Sequence, residues 1–318
     1  MKVIAIVGPT AVGKTSLSID LAKKFNGEII SGDSMQVYRG LDIGTAKVTT
    51  EEMAGIVHHL IDVRNIDESY SAADFQKAAR QAIQEISSRG KLPIIVGGTG
   101  LYIQSLLWDY KLGSEGDPED DSLRRKYEAF AETNGNQALW EKLQAVDPLA
   151  AEKIHYSNRK KMIRALEVFE LTGHSILEPK EQPRELYDSF LIGLNTDRAV
   201  LYQRINQRVD LMVEQGLLTE AEKLAETPEV QAAQGIGYKE LFPYFSGNSS
   251  LEAALEEVKL HSRRYAKRQL TWFRNRMSVH WYDLVQHPST INEIEETIEK
   301  WLADVKPTLQ TDEEEASK

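Results

Sequence analysis

The sequence predicts an α/β fold: a phosphate-loop core with a mostly parallel sheet flanked by helices, plus an all-helical insertion. Three observations predict it. Short apolar runs of strand length end at glycine or aspartate. Helical patterns alternate with the first of them in a β-α-β rhythm. From about residue 113 to residue 180 the strand signals cease and only helical ones remain.

The elements follow in order. "KVIAIVG" (Lys2–Gly8) reads as a buried parallel strand ending at glycine. From Lys14 to Phe25, Leu17, Ile19, Leu21, Ala22 and Phe25 fit a helix. "EIISGDS" (Glu28–Ser34) gives a second strand with Asp33 at its end, Gln76–Ser88 a helix, and "KLPIIVGGTG" (Lys91–Gly100) a strand breaking into a glycine turn. In the helical region, Asp147 precedes Pro148 as a helix cap, and the apolar pattern from Asn158 stops at Gly173. "DSFLIGLN" (Asp188–Asn195) returns to the α/β style, and helices are expected from there to the end. The expected organisation is a first core part over 1–112, an insertion over 113–187, a return to the core over 188–305, and a disordered acidic tail over 306–318.

With 318 residues, 41% hydrophobic and 27% charged, the chain has the composition of a globular protein. No apolar run approaches the roughly 18 residues of a membrane span, and Val3–Val7 is too short for a signal peptide, so a cytoplasmic location is expected. The absence of cysteine excludes disulfides, thiolate catalysis and cysteine-ligated zinc. A net charge of −11 argues against nucleic-acid binding when taken alone. The average hides an asymmetry, because Lys259 to Tyr282 holds seven Lys or Arg and no acidic residue.

"GPTAVGKT" carries the chemistry. Gly8, Gly13, Lys14 and Thr15 fit G-x-x-x-x-G-K-[ST] between a predicted strand and a predicted helix. In such a loop, here Gly8, Pro9, Thr10, Ala11, Val12, Gly13, Lys14 and Thr15, backbone N–H groups surround an anion. Lys14 adds a full charge, and the Thr15 hydroxyl suits Mg²⁺. A polyphosphate site follows; its use does not. Asp33 and Asp62 both end apolar runs and are open candidates for a metal-linked carboxylate. On pattern alone, a small-molecule kinase fits. His58 and His59 are adjacent on a predicted strand and point to opposite faces, which argues against a shared metal.

Further stretches narrow the reading. "GDSMQVYRGLDIGTAK" (Gly32–Lys47), "HHLIDV" (His58–Val63), "YSAADF" (Tyr70–Phe75) and "PIIVGGTGLY" (Pro93–Tyr102) resemble the tRNA dimethylallyltransferase family. So do "IRALEV" (Ile163–Val168), "RINQRVDLMVEQGL" (Arg204–Leu217), "QGIGYKE" (Gln234–Glu240) and "RRYAKRQLTWFR" (Arg263–Arg274), in order, from about residue 3 to 285. The resemblance implies transfer of a dimethylallyl group from dimethylallyl diphosphate to N6 of the adenosine on the 3′ side of the anticodon. It implies Mg²⁺ as cofactor, the tRNA anticodon stem-loop as partner, no membrane association and a monomer.

Residue by residue, the resemblance makes Asp33 the general base, where a helix cap or metal ligand is the plain alternative. It makes Arg208 a second cation on the diphosphate, otherwise an exposed helix arginine, and sets Thr10 near the reacting centre. Asp62 is then structural. Asp33, Ser34, Met35 and Gln36 would meet the flipped adenosine and its neighbour, and Thr99 the tRNA, unless it is only a turn threonine. Arg264 and Arg268 belong to a phosphate track with strong salt dependence. The aromatics among them, Tyr265, Trp272 and Phe273, are expected mainly in the core. Arg124 is assigned to tRNA as well, as are Arg159 and Arg164, whose cluster with Lys160 and Lys161 either closes over the stem or forms a solvated face. The zinc finger of some family members has no cysteines here, so the chain resembles the compact bacterial form, with no structural metal. Two other readings stay open: a relative that prenylates a free adenine nucleotide, and an RNA-binding module with a vestigial loop.

Overall fold

The computed structural model describes residues 1–110, 112, 122–178 and 183–304. The acidic tail expected over 306–318 lies outside the described residues. The chain divides into two compact units, one of Met1–Asp109 and the chain from Glu185 onward, the other Tyr110–Arg184.

The first unit begins with β1 (Lys2–Val7), α1 (Lys14–Lys24), β2 (Gly27–Ser31), the short α2 (Thr50–Met53), β3 (His58–His59), α3 (Ala72–Ser88), β4 (Leu92–Gly97) and α4 (Gly100–Leu107). The second unit holds α5 (Ser122–Val146), α6 (Pro148–Lys153) and α7 (Arg159–Thr172). The first then resumes with β5 (Asp188–Leu194), α8 (Arg198–Gln215), α9 (Leu217–Ala225), α10 (Phe242–Phe245), α11 (Leu251–Arg276), β6 (His280–Tyr282) and α12 (Thr290–Ala303). The six strands form one sheet in the order β3-β2-β4-β1-β5-β6, every pairing parallel.

The apolar residues dictate this sheet. Along β1, Val3, Ala5 and Val7 enter one core and Ile4 and Ile6 the other, all fully buried. Ile30 and Ile95 join the first core, Ile29 and Ile94 the second. Such double-sided burial needs the near-continuous apolar runs seen in the sequence. The second unit has its own core around Tyr127, Leu139, Leu143, Met162, Ile163 and Leu166.

Several boundaries differ from expectation. α3 starts four residues before Gln76, because Ser71 and Asp74 form a reciprocal capping box. Asp147 caps α6 by accepting from the Ala150 N–H, and Gly173 closes α7 in a left-handed conformation. β6 was not expected. Three residues are too few for a periodic signal, and His280–Tyr282 form a strand only because β5 offers an edge.

At the amino-terminal end of β2, Glu28 is almost fully buried and is met by His59 (2.7 Å), Arg89 (2.7 Å) and Lys91 (3.0 Å). Burial alone would raise its pKa, but the bonds from His59, Lys91 and Arg89 prevail and hold it near 2. Since the folded pKa is depressed, this stabilisation is complete above the ordinary value of 4.5 and is lost as pH falls toward about 2. Glu28→Gln should cost about 1–3 kcal/mol at pH 7, and thermal melts should show the gap to wild type closing over that acid range.

Candidate active site

Every element of the candidate site lies at or near the carboxyl edge of the parallel sheet. Directly after β1 comes Gly8, where a Cβ would stand 2.3 Å from the Leu194 carbonyl oxygen, so only glycine lets the chain turn there. Ala11 and Gly13 both take positive φ, 66° and 93°. Gly13 precedes α1 without a side-chain cap, which leaves the first N–H groups of that helix facing the loop. Lys14 opens the helix, and its Nζ donates to the Pro9 carbonyl at 2.5 Å. Thr15 is exposed, and its carbonyl accepts from Ser18 Oγ at 2.7 Å.

α8 supplies two arginines one turn apart. Arg204 Nε donates to the Ala11 carbonyl at 2.8 Å, bracing the left-handed residue of the loop. Arg208 is half-buried and within electrostatic reach of Lys14 and Asp33. Burial lowers its pKa, the Glu52 carboxylate opposing and the Arg204 charge adding to that. Lys14 is pushed down to about 8, first by burial and then by the Arg208 charge, against the pull of Asp33.

Asp33 follows β2 on a turn that its own side chain shapes: Oδ1 accepts from the Met35 N–H (2.8 Å) and the Gln36 N–H (3.3 Å). Gly97 of β4 crosses so closely that a Cβ would meet the Gly32 carbonyl oxygen at 2.3 Å. Thr99 does not cap α4. Its Oγ1 accepts from the Ser34 N–H (3.2 Å) and donates to Ser34 Oγ (3.4 Å), joining the Asp33 turn to the glycine turn. From α11, Gln269 Nε2 donates to the Gly98 carbonyl at 3.0 Å, and Tyr265 lies against Thr99 and Gln269.

The sheet thus brings together Gly8 to Thr15, Asp33, Ser34, Thr99 and Arg208. Other assigned residues have partners of their own. The Gln36 amide accepts from Ser31 Oγ (2.9 Å) and donates toward the Thr45 and Ala46 carbonyls (3.2 and 3.4 Å). Met35 packs into the core beside Gly235. Asp62 pairs with the buried Lys47 at 2.6 Å. His58 bonds the Ile56 carbonyl and His59 bonds Glu28.

On α11, Arg264, Lys267, Arg268, Arg274 and Arg276 are exposed, whereas Phe273 is buried and Trp272 packs on Gly100. Arg268 lies over the Tyr265 ring, and Arg276 over Trp272 at 4.3 Å. In the second unit, Arg124 and Arg164 both bind the buried Glu167, at 2.9 and 3.2 Å, and Arg159 binds Asn136 at 2.7 Å. Lys160 and Lys161 are exposed.

Sequence reasoning missed Arg204 and Gln269. Arg204 stands one helical turn before Arg208, a spacing that shares a face and could have flagged it. Nothing local flags Gln269, whose partner is 171 residues away. A separate recess of about 310 Å³, lined by Asn195, Thr196, Asp197, Trp281, Tyr282 and Asp283, contains none of the loop's cations.

Fold and site together define a phosphate-loop α/β protein with a basic helix beside the loop. Comparison with known proteins makes this specific. A family model described as IPP transferase matches residues 36–276. The tRNA dimethylallyltransferase of Enterococcus faecalis is 67% identical over 301 residues, covering 95% of this chain and 97% of that protein. The enzyme of the same name from Latilactobacillus sakei is 56% identical, with coverages of 95% and 98%. Among solved structures, the tRNA isopentenylpyrophosphate transferase of Bacillus halodurans is 51% identical with TM-score 0.72, covering 95% and 96%. A eukaryotic dimethylallyltransferase studied acting on tRNA is 32% identical with TM-score 0.79, covering 94% of this chain and 78% of that one. The chain is an enzyme and belongs to the IPP transferase family.

Burial and the Arg208 charge hold the Lys14 pKa at about 8, so Lys14 progressively loses its charge as pH rises through that value, and inorganic pyrophosphate should then bind less tightly. The loss should reach at most about tenfold per pH unit. Calorimetric titrations against pH should show this inflection in wild type and not in Lys14→Arg, whose guanidinium stays charged.

Proposed function

We propose that the protein transfers the dimethylallyl group of dimethylallyl diphosphate to N6 of the adenosine 3′-adjacent to the tRNA anticodon, releasing diphosphate. The observation that carries this reading is the grouping of Lys14, Arg208 and Asp33 about one phosphate loop. Two cations and the loop N–H groups suit a leaving diphosphate, and a single carboxylate beside them suits proton acceptance. The names of the relatives support the substrate class.

The allylic C–O bond breaks and the N6–C bond forms, and negative charge develops on the diphosphate. Fixed donors aimed at such charge lower barriers substantially. Lys14, the loop N–H groups and Arg208 supply them, Arg208 with a fork suited to phosphate oxygens. Adenine N6 becomes acidic only as it attacks, and Asp33 takes its proton. Oδ1 of Asp33 holds the turn, which leaves Oδ2 for that task. Thr10, half-exposed in the loop, is read as a contact to the reacting centre.

Mg²⁺ fits this donor set. It takes one or two protein oxygens and completes its shell with substrate phosphate and water. Among the described residues no group of three or more acidic or histidine side chains competes with that arrangement. Thr15 would hold the ion, which when bound neutralises charge on the diphosphate.

An anticodon loop offers single-stranded bases that can be turned out at modest cost. The exposed cations of α11, Arg264 and Arg268 among them, are read as its phosphate track. Ser34, Met35, Gln36 and Thr99 line the Asp33 turn, with Gln36 as a strut and not a free amide. Arg124, Arg159 and Arg164 are read as tRNA contacts of the second unit. The active form is read as a monomer, acting in the cytoplasm where tRNA is processed. Among the described residues no helix is long and apolar enough to cross a membrane.

The test combines full-length protein, Mg²⁺, labelled dimethylallyl diphosphate and an unmodified anticodon stem-loop. Label should enter the RNA and be lost when the target adenosine is replaced by guanosine. Label on free AMP, ADP or ATP alone would assign the activity to a free-nucleotide acceptor. Asp33→Ala should lower kcat by about 10²–10⁴ with little change in either substrate's KM. Arg208→Ala should raise the KM for the prenyl donor, with or without a loss in kcat; unchanged constants would remove it from the site.

A further inference from the structure

Residues 32–49, which carry Asp33, contain neither helix nor strand, yet they are pinned from outside. The pin is Glu220 on α9, buried with only 8% of its surface exposed. Its Oε2 accepts from the Asp42 and Ile43 N–H groups at 2.8 and 2.9 Å. Its Oε1 accepts from the Gly44 N–H at 2.8 Å and from the Tyr238 hydroxyl at 2.6 Å. Three successive backbone N–H groups around one anion are the arrangement with which proteins bind external anions. Here the anion is a side chain of the same protein. The Tyr238 ring closes over the loop so tightly that a Cβ on Gly44 would lie 2.6 Å from it.

From this anchor, contacts run without a break to Asp33. The Thr45 and Ala46 carbonyls, directly after the pinned N–H groups, accept from Gln36 Nε2. Gln36 Oε1 is held by Ser31 Oγ, and the Gln36 N–H donates to Asp33 Oδ1. The far end of the loop is fastened separately, by Lys47 Nζ to the Tyr38 carbonyl and the Asp42 and Asp62 carboxylates.

We infer that Glu220 is a positioning residue for prenyl transfer: through the 42–46 backbone and Gln36 it fixes Asp33 where N6 must deliver its proton, without touching substrate itself. The inference rests on the reading of Asp33 as proton acceptor. Glu220→Gln is the sharpest probe. Its amide has one acceptor where the carboxylate has two, so whichever way it turns, an NH₂ group faces a backbone N–H that needs an acceptor. The loop must then shift, and displacement of a reacting group by about 1 Å can cost on the order of a hundredfold in rate.

The experiment is a double-mutant cycle on the full chain with wild type, Glu220→Gln, Asp33→Ala and the double variant, measuring kcat and both KM values. Glu220→Gln should lower kcat about tenfold to a hundredfold and leave the donor KM within about twofold, because the phosphate loop is untouched. In the Asp33→Ala background the same substitution should cost almost nothing. A wild-type kcat for Glu220→Gln beside a crippled Asp33→Ala overturns the positioning role alone, as do losses that multiply in the double variant. A fully active Asp33→Ala instead overturns the proton-acceptor reading, and the positioning role with it. Should circular dichroism show Glu220→Gln unfolded, Tyr238→Phe replaces it in the cycle. That variant removes one of the four bonds and should lower kcat severalfold, with no further loss on Asp33→Ala; an unchanged kcat overturns the inference.

Discussion

Backbone meeting backbone at the carboxyl edge of the sheet is the constraint on which the site depends. Gly97 lies against the Gly32 carbonyl, and Gly8 lies against that of Leu194. At both places a methyl group would stand 2.3 Å from an oxygen. Parallel strands all finish on one side, so β1, β2 and β4 release the phosphate loop, the Asp33 turn and the 98–99 turn toward a common space. Ligands of open α/β sheets gather at this edge for the same reason.

Charge is distributed with similar economy in a chain of net charge −11. Lys14 and Arg208 stand close to the loop; burial and then the Arg208 charge disfavour the charged form of Lys14, and burial together with the Arg204 charge disfavours that of Arg208. Neighbouring positive charge and partial burial of this kind favour the approach of an anion. Elsewhere cations are paired where they support structure, as around Glu28 and Glu167, and left exposed along α11. Local fields of this kind, and not net charge, decide which partners a surface attracts.

Glu28 and Glu220 show two uses of a buried carboxylate. Glu28 collects the Arg89 and Lys91 cations and the His59 ring, and fastens β2 to β3 and to the loop before β4. Glu220 collects backbone N–H groups and fastens a loop with no regular structure. Both satisfy the requirement that a buried charge be paired or hydrogen-bonded. From the second, hydrogen bonds continue through Thr45, Ala46 and Gln36 to Asp33.

The sequence by itself determined the strands β1, β2, β4 and β5, the phosphate loop and the helical character of the insertion. Each is written in a local signal: an apolar run, a glycine spacing or a 3.6-residue period. Asp147 and Gly173 marked helix ends for the same reason, and the capping box at Ser71 was legible though overlooked. Tertiary structure alone decided which residues meet. The Gln36 amide, read as free to contact a base, is consumed by Ser31, Thr45 and Ala46. Glu220 and Gln269 act on loops more than 170 residues away, and β6 exists because β5 has an open edge. No window of sequence contains such partners. Hydrogen bonds between distant segments are set by strand order and helix packing, which arise only when the whole core closes.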